Sequence, residues 1–422
     1  MAVFEKRSVM PVPVDELYAW HARAAAGERL TPPWRRRVTE RSGRSIDVQA
    51  QGPFARWEHR HRFMPQGDDA SVLDDQVDFA LPGPESATRW AESVARRRVG
   101  RLFAFRHRRT RDDLSRHALY RENPRLRVAI TGGSGFIGRA LTAFLSAGGH
   151  DVVRVTRRRD AGPGWVHWDP ATPAIDAAAL EGVDAVVHLA GASIAGLWTP
   201  ARRREIIASR RQGTDLIART VAGLERPPRV IVSASAVGWY GSRGGEALSE
   251  DSPPGDGFLA EVCKVWEDAL EPAREAGVRV VVTRFGLVLG GAGGLLAAML
   301  PAFKLAVGAR FGDGDQWMSW VAVDDVLGAI LTALYDTSLE GPVNVTAPRA
   351  VTNREFTATL ARVLRRPALL AAPRAVVERG LGEMGRDLLL TSQRVTPARL
   401  TAAGFTWLFP DLEGALRFEL GR

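Results

Sequence analysis

The chain has 422 residues, of which 45% are apolar, and a formal net charge of +9 from 57 basic and 48 acidic residues. These values indicate a globular protein of two to three domains with sizeable cores. No stretch approaches the ~18 uninterrupted apolar residues of a membrane-spanning helix, and the amino-terminal segment has charges and prolines where a signal peptide needs an apolar centre. We therefore expect no membrane span and a cytoplasmic location.

The single cysteine, Cys263, excludes an internal disulfide, and no Cys/His spacing is typical of a zinc site, so we predict no metal ligands.

Residues 1–122 have the pattern of an α+β domain. A strand at 3–9 and a helical stretch at 14–26 precede strand-like runs such as "SIDVQAQ", "RWEHRHRF" and "SVLDDQVDFAL", and a long basic helix follows. This order of elements resembles the helix-grip fold of the SRPBCC, or START-like, superfamily, whose members hold ligands between sheet and helix. The resemblance implies a domain that binds an apolar or anionic small molecule.

Three details of this region bear on function. His59 and His61 alternate along a strand and share one face; they could be ligands or catalysts, but we expect ordinary surface residues. "LTPPW" at 30–34 predicts a turn followed by an aromatic anchor.

Most of the excess positive charge precedes Leu126, and acidic residues are interleaved, so we expect a solvated surface rather than a nucleic-acid site. The densest basic segment, 97–117, is predicted to be a helix packed on a sheet through four apolar side chains: Leu102, Phe103, Phe105 and Leu114.

After the break at 122–124 the pattern changes to alternating strands and helices. Continuous apolar runs such as "RVAIT", "DVVRVT", "DAVVHLA", "RVIVSAS" and "VRVVVTRF" are separated by amphipathic stretches at 135–147 and 200–224. Such runs predict a parallel sheet covered by helices on both faces.

A glycine-rich turn joins the first of these strands to its helix. In "RVAITGGSGFIGRAL", Gly132, Gly135 and Gly138 form the G-x-x-G-x-x-G variant of the dinucleotide fingerprint, which allows a tight turn and a close backbone approach to a pyrophosphate at the helix amino terminus. The alternative is a purely structural turn. We predict six cofactor contacts here: Thr131, Gly132, Gly135, Phe136, Ile137 and Gly138.

The end of the next strand, "VVRVTRRRD", indicates which dinucleotide binds. An NAD enzyme usually carries a carboxylate there for the ribose 2′-hydroxyl, but this chain has Thr156, Arg157 and Arg158. A guanidinium pairs with a 2′-phosphate, so we predict NADP(H), with Arg157 as the main contact and Arg158 as a secondary one. The alternative is that both arginines are surface charges.

Several motifs occur together in the order typical of extended short-chain dehydrogenase/reductases: "TGGSGFIG", "HLAG", "SASAVGWYG", "RFGLVLG" and "VDDV". More narrowly, "LAGASIAGLWT", "SRRQGT", "SWVAVDDV", "GPVNVTAP" and the carboxy-terminal "QRVTPARLTAAGFTWLFPDLEGAL" resemble atypical nucleoside-diphosphate-sugar-epimerase-like proteins, also labelled cell-division-inhibitor-like. The resemblance implies an α/β fold over 126–422: a Rossmann-type doubly wound parallel sheet, mainly NADP-binding at 126–290, with a carboxy-terminal substrate subdomain at 291–422. It also implies four further cofactor contacts: Leu189, Ala190, Gly191 and Ser233.

Members of the extended family use a Ser, a Tyr and a Lys four residues after it, with a helix Asn that organises a proton relay. Carried over by motif, the serine falls on Ser235, with Ser233 as runner-up, and the lysine on Lys264, which we also expect to bond the nicotinamide ribose. The tyrosine position is Ala260 and the asparagine position is Arg210, so two elements are missing. Tyr240 is the only nearby phenol that could substitute as an acid.

The resemblance also suggests residues around a substrate cleft. Trp317, Trp320 and Arg284 are expected to border it, although core packing explains the tryptophans equally well. Relatives often have histidine where Ala322 stands. The remaining expectations concern Asp324 and Asp325 as amino-terminal helix caps, and Asn344 and Pro348 as residues that shape a cleft loop.

Our leading hypothesis is an NADP(H)-binding, atypical extended short-chain dehydrogenase/reductase with oxidoreductase or sugar-nucleotide epimerase/dehydratase-type activity. Its substrate would be a small molecule such as a nucleotide sugar. The main alternative is a non-catalytic, NADP(H)-bound sensor or partner-binding protein. Nucleic-acid binding through the basic helix is a third reading, which predicts salt-sensitive retention on DNA.

Overall fold

A computed structural model describes residues 2–30, 36–41, 44–49, 54–83, 85–159, 162 and 164–422; the side chains of 36–41, 44–49 and 85–90 are also outside the description. The chain divides into two compact units: residues 1–125 with 143–150 and 421, and residues 126–142 with 151–420 and 422. The turn and aromatic anchor predicted at 31–34 lie outside the described residues.

The first unit contains an antiparallel sheet of five strands in the order β1-β5-β4-β3-β2. Its strands are β1 (Ala2–Met10), β2 (Arg36–Arg41), β3 (Arg44–Gln49), β4 (Arg56–Pro65) and β5 (Ser71–Ala80). Its helices are α1 (Val14–Ala22), α2 (Ala24–Leu30) and α3 (Glu85–Ala118). The predicted single helical stretch is two helices because Arg23 adopts an extended conformation, with φ −75° and ψ 133°.

Helix α3 packs on this sheet, as predicted for the basic segment. Phe103 is fully buried and joins Val99 of the same helix in a cluster with Val77 and Phe79 of β5. The expectation that His59 and His61 are surface residues is wrong, since their side chains are only 1% and 5% exposed. Alternation along β4 gives both histidines one face, and that face is the buried one.

The second unit contains an eight-stranded sheet in the order β18-β13-β11-β10-β6-β7-β8-β9, parallel except for β9. Its strands are β6 (Arg127–Thr131), β7 (Asp151–Thr156), β8 (Trp165–Asp169), β9 (Ala174–Ile175), β10 (Ala185–His188), β11 (Val230–Ala236), β13 (Arg279–Phe285) and β18 (Gly341–Val345). The chain runs outward from β6 in both directions, so the strand order reverses between β6 and β10. This confirms the predicted Rossmann-type doubly wound sheet.

Helices and short strand pairs complete this unit. The helices are α4 (Phe136–Ala147), α5 (Pro200–Ala222), α6 (Phe258–Asp268), α7 (Glu271–Glu275), α8 (Gly294–Lys304), α9 (Val323–Tyr335), α10 (Asn353–Leu364), α11 (Arg374–Leu389), α12 (Ala398–Ala402) and α13 (Leu412–Glu419), with 3₁₀ turns at Ala178–Leu180 and Val237–Tyr240. The short strands are β12 (Ala247–Leu248), β14 (Leu287–Leu289), β15 (Ala309–Phe311), β16 (Trp317–Met318), β17 (Trp320–Ala322), β19 (Val351–Thr352), β20 (Leu370–Ala372) and β21 (Arg394–Val395). Among the described helices, none combines the length and apolar character that crossing a membrane requires.

The strand register brings several motifs to one edge of the large sheet. Thr131 at the end of β6 pairs with Val155 of β7 and with His188 of β10, and His188 pairs with Ser233 of β11. In a doubly wound sheet, ligands bind outside the carboxyl ends of the strands where the strand order reverses. The glycine-rich turn therefore lies at the expected position for a ligand site.

Candidate dinucleotide site and adjoining cleft

The turn between β6 and α4 requires glycine at two positions. Gly132 has a φ of +69°, and a Cβ there would lie 2.7 Å from the carbonyl carbon of Leu189. A Cβ at Gly138 would lie 2.2 Å from the oxygen of Gly132, so helix and turn can approach only without it. A Cβ at Gly135 would instead meet only the Gly132 oxygen, at 3.2 Å, and Gly135 is exposed. The turn is therefore tight and its backbone is exposed at Gly135, beside the amino terminus of α4, which is the arrangement a pyrophosphate needs.

Phe136 anchors the first turn of α4. Its ring lies so close to Gly290 and Gly293 that a Cβ at these positions would be 2.4 and 2.7 Å from ring carbons. The glycines of "RFGLVLGGAGG" thus make room for this ring. Phe136 and its neighbour Ile137 are both half-buried.

Thr131 holds the neighbouring loop rather than facing open space. Its buried hydroxyl oxygen accepts from the backbone N–H groups of Leu189 (3.1 Å) and Ala190 (3.3 Å). It also lies 2.8 Å from Nδ1 of His188, whose Nε2 is 3.0 Å from the hydroxyl of Thr214. Burial lowers the pKa of His188 to about 4, so the imidazole is neutral near pH 7. This network places the segment that ends at Gly191 beside Gly132.

Arg157 and Arg158 directly follow β7, one strand away from the glycine-rich turn. Both side chains are exposed, and in the described part of the chain neither takes part in an ion pair. The backbone N–H of Arg158 donates to the hydroxyl of Thr156. Two guanidinium groups without a carboxylate partner fit a phosphate group at this edge of the sheet.

The structure places Ser235 and Tyr240 in a buried polar network. The Ser235 hydroxyl donates to Glu267 (2.7 Å), which also accepts two hydrogen bonds from Arg284, at 2.9 and 3.0 Å. Arg284 donates in turn to the Tyr240 oxygen (3.1 Å), and the Tyr240 hydroxyl donates to Asn344 (2.7 Å). Burial raises the pKa of Tyr240 despite the nearby Arg284. These contacts argue against direct substrate contact by Ser235 and against Tyr240 as a substitute acid.

Lys264 lies apart from this network. Its side chain is 59% exposed, and Nζ donates to Asp268 at 2.8 Å. This hydrogen bond raises the pKa of the Lys264 ammonium. Among the described residues, no hydrogen bond joins Lys264 to Ser235 or to Tyr240. Ser233, the runner-up serine, is fully buried, with its hydroxyl 3.4 Å from the oxygen of Ala234.

Arg210, at the position of the relay asparagine, has a different use. Its guanidinium donates to the oxygen of Ala192 (2.7 Å) and lies 4.9 Å from the ring of Trp266. Burial lowers its pKa to about 10, a value at which it remains charged at neutral pH. A Cβ at Gly191 would lie 3.2 Å from this guanidinium, so Arg210 packs directly under the loop after β10.

Two adjoining cavities lie near the carboxyl ends of β11 and β13. The first, called here the apolar cavity, has a volume of about 190 Å³. It is lined mainly by apolar side chains, among them Ile194, Leu259, Val262, Cys263, Trp266, Phe285, Phe311, Trp317, Leu388 and Leu389. Burial raises the pKa of the Cys263 thiol to about 11. The second, called the polar cavity, has a volume of about 200 Å³, and Ala260, Asp256, Arg374 and Arg386 line it.

Asp387 of α11 lines both cavities. Its side chain is 17% exposed, and Oδ1 lies 3.4 Å from Nε of Arg386. Burial raises the pKa of this carboxyl. Sequence motifs did not indicate Asp387, because none of them covers helix α11. Glu267 was missed although it lies on the same helix as Lys264.

Several cleft expectations need correction. Trp317 lines the apolar cavity as expected, but Trp320 is 1% exposed and donates to the oxygen of Arg349, so it is a core residue. Arg284 is likewise buried in the network described above. Asp325 lies in the first turn of α9 yet does not cap it; its carboxylate accepts from the backbone of Leu408 and Phe409. Asn344 lies within β18 rather than in a loop.

The sequence profile of the NAD dependent epimerase/dehydratase family matches residues 128–346, which is more than half of the chain. The chain belongs to the NAD dependent epimerase/dehydratase family. A second profile, a domain of unknown function, matches residues 372–419 of this family member and therefore includes Asp387.

Relatives of this epimerase/dehydratase-family chain include Epimerase family protein Mb2239 of Mycobacterium bovis, which is 41% identical over 70% of this chain and 98% of the relative. The nucleoside-diphosphate sugar epimerase from Corynebacterium glutamicum has a similar structure, with a TM-score of 0.78 and 32% identity, over 99% of this chain and 90% of that chain. Human epimerase family protein SDR39U1 (isoform 2), solved with NADPH, superposes with a TM-score of 0.64 and 36% identity over 69% of this chain and 98% of that chain.

Proposed function

We propose that this protein binds NADP(H) as an atypical extended short-chain dehydrogenase/reductase. The single observation that carries the proposal is the glycine-rich turn at Gly132–Gly138 with Arg157 and Arg158 on the adjacent strand end. The turn would hold the pyrophosphate and the two guanidinium groups the 2′-phosphate. The NADPH in the structure of human SDR39U1 supports this choice of cofactor.

We further propose that Asp387 exchanges a proton with the substrate in place of the missing tyrosine. The chemistry that NADP(H) supplies when bound is hydride exchange with a carbinol or carbonyl carbon. A substrate hydroxyl must lose a proton when its carbinol is oxidised, and a carbonyl oxygen must gain one when it is reduced. Ala260 has no proton to exchange, whereas Asp387 lines the same cavity as Ala260 and has a raised pKa. A carboxyl with a raised pKa is closer to the pKa range that is useful for acid–base catalysis near neutral pH.

The cavities favour a compact substrate with an apolar body. The apolar cavity of about 190 Å³ is smaller than the roughly 300–1,000 Å³ typical of ligand pockets. Its aromatic and leucine lining suits a small hydrophobic carbonyl or alcohol, whereas a nucleotide sugar would have to extend into the polar cavity past Arg374 and Arg386. Both substrate classes belong in a screen.

A second candidate function is a non-catalytic protein in which NADP(H) is a sensed or structural ligand. Three observations favour it: Ala260 replaces the tyrosine, Lys264 pairs with Asp268, and Ser235 is committed to Glu267. None of these three features involves the glycine-rich turn. Whether the protein binds NADP(H) and whether it turns over a substrate are therefore separate questions.

The amino-terminal residues 1–122 are proposed to form a helix-grip domain that binds an apolar or anionic small molecule. A five-stranded antiparallel sheet with the 34-residue helix α3 packed on it supports this proposal. The proposed boundary with the dinucleotide-binding domain lies between residues 122 and 126.

Cofactor binding is tested by titrating the full chain with NADPH and NADH while following fluorescence. Wild type should prefer NADPH, and Arg157→Ala should lose most of that preference because a charge-assisted bond to the 2′-phosphate disappears. Arg229→Ala is the matched control, since Arg229 is 76% exposed and precedes β11 at the opposite end of the strands. Equal binding of both nucleotides, or an equal effect of the two variants, would contradict the assignment to NADP(H).

Turnover is tested by following NADPH oxidation with a panel of small carbonyl compounds and with a nucleotide sugar. If the protein is an enzyme, Asp387→Asn should lower kcat by about 100-fold or more while NADPH binding persists. Asp256→Asn is the control, because Asp256 is an exposed carboxylate on the polar cavity. Tight NADPH binding with no turnover of any compound would favour the non-catalytic function.

A further inference from the structure

The amino-terminal unit contains a cluster of imidazoles around one carboxylate. His59 and His61 lie on β4, Asp75 is directly opposite His61 on β5, and His107 lies on α3. All four side chains are at least 95% buried, with exposures of 1%, 5%, 1% and 1%. Sheet and helix therefore enclose these polar groups in the interior of the unit, far along the chain from the dinucleotide motifs.

The donor atoms converge on a small volume. One ring nitrogen of His59, one of His61 and a carboxylate oxygen of Asp75 all lie within 4.8 Å of one another. His59 Nε2 is 3.4 Å from Asp75 Oδ2, His61 Nδ1 is 2.6 Å from Oδ1, and His107 Nε2 is 3.0 Å from Oδ2. Metal–ligand bonds of about 2.0–2.1 Å in a tetrahedral zinc site place the donors roughly 3.3 Å apart. The His59–Asp75 spacing is already near this value, and the His61–Asp75 pair would open to admit an ion.

Charge compensation alone does not require this arrangement. Elsewhere in the same unit a buried carboxylate, Asp113, accepts two hydrogen bonds from the cationic Arg29. Asp75 instead faces three imidazoles. Two imidazole nitrogens and one carboxylate oxygen, with a water in the fourth position, are a donor set that Zn²⁺ accepts.

A fourth imidazole beside the cluster independently points to a ligand. The ring of His21 lies 5.4 Å from that of His61, centroid to centroid. Nδ1 of His21 is 3.0 Å from the oxygen of Leu17, and a carbonyl can only accept, so Nδ1 carries the proton and Nε2 presents a lone pair. In the described part of the chain this buried Nε2 has no hydrogen-bond partner. A buried acceptor without a donor is costly, and a metal ion or its bound water would remove that cost.

We propose that His59, His61 and Asp75 bind a divalent transition-metal ion, with Zn²⁺ as the expected ion and a water as the fourth ligand, while His107 bonds the Asp75 carboxylate from α3. The site lies within the amino-terminal unit and does not depend on whether the other unit binds NADP(H). His21 lies close enough to form a hydrogen bond to a metal-bound water.

The test uses the full chain without a histidine tag. The protein is stripped with a chelator, dialysed against Zn²⁺ and analysed for metal by mass spectrometry, and Co²⁺ is then bound as a spectroscopic probe. Wild type should retain one Zn²⁺ per chain after dialysis and show the intense visible bands of four-coordinate Co²⁺. His59→Gln and Asp75→Asn should each lower the affinity for Zn²⁺. The loss should exceed the roughly 10–100-fold that is typical when a residue that only hydrogen-bonds a metal ligand is removed. His167→Gln removes a half-buried histidine of the other unit and should bind metal like wild type.

Thermal unfolding distinguishes loss of a ligand from loss of the fold. Wild-type Tm should rise with Zn²⁺, and the Tm of folded His59→Gln should not, because only binding to the native state stabilises it. The proposal fails if stripped wild type does not take up stoichiometric Zn²⁺, a result that needs no variant to fold. It fails equally if folded His59→Gln or Asp75→Asn binds Zn²⁺ as tightly as wild type.

Discussion

Glu267 is expected to be the most stability-sensitive carboxylate of the second unit. The side chains of Glu267 and Arg284 are 10% and 3% exposed, and three hydrogen bonds of 2.7 to 3.0 Å converge on this carboxylate from Ser235 and Arg284. Glu267→Ala leaves the Arg284 guanidinium buried without its counter-charge. Breaking a buried ion pair from one side costs about 3–5 kcal/mol. At about 1.4 kcal/mol per tenfold, local opening should become roughly 100- to 4,000-fold more frequent.

Amide hydrogen exchange is the suitable assay, because a chain of two compact units need not unfold in one step. Peptides covering β11, β13 and α6 should exchange faster by the factor given above. Asp268→Ala is the matched control on the same helix: its pair with Lys264 is about 60% exposed on both sides, so its loss should cost about 1 kcal/mol or less. Adding Arg284→Met to Glu267→Ala removes the uncompensated charge and should recover part of the protection. Equal protection in Glu267→Ala and Asp268→Ala would refute the reasoning.

Three further predictions follow from the same contacts. Gly132→Ala should weaken NADPH binding at least about tenfold, because Gly132 has a φ of +69° and a Cβ there would lie 2.7 Å from its nearest atom. Gly133→Ala is the control and should bind NADPH normally, since its Cβ would lie 3.7 Å from its nearest atom. Similar NADPH titrations for both variants would argue against a strained turn. Burial holds the pKa of His188 at about 4 in the folded state, whereas the pKa is near 6.5 in the unfolded state. Between pH 6.5 and pH 4 the unfolded state therefore binds more protons. The free energy of unfolding should fall by roughly 3 kcal/mol as the pH drops through this range. His188→Asn should show a shallower loss of Tm over this range, and parallel profiles would contradict the assignment. Cys263, with its pKa raised to about 11, should react with a thiol reagent at pH 8 far more slowly in the native protein than in urea, and equal rates would show that the thiol is accessible.

Local patterns in the sequence determined the doubly wound sheet. Continuous apolar strands, amphipathic helices and the glycine-rich turn predicted β6, α4, β7 and the parallel order around them, since strand and helix periods and left-handed glycine conformations depend on near neighbours in the chain. The basic helix α3 was likewise predicted by its spacing of apolar residues, although it begins at Glu85 rather than near residue 97. The residues predicted to contact the dinucleotide remain predictions, and the titrations above test them.

The tertiary structure alone decided what the polar side chains do. His59 and His61 were expected to be surface residues, because alternation in a strand shows which residues share a face but not which face is covered. Helix α3, some forty residues later in the chain, covers that face and buries both histidines around Asp75. In the same way Ser235 points to Glu267, and Asp387 reaches the cavity beside Ala260 from a distant helix. Burial, charge pairing and pKa depend on contacts between segments far apart in the chain, and these contacts exist only once the chain has folded.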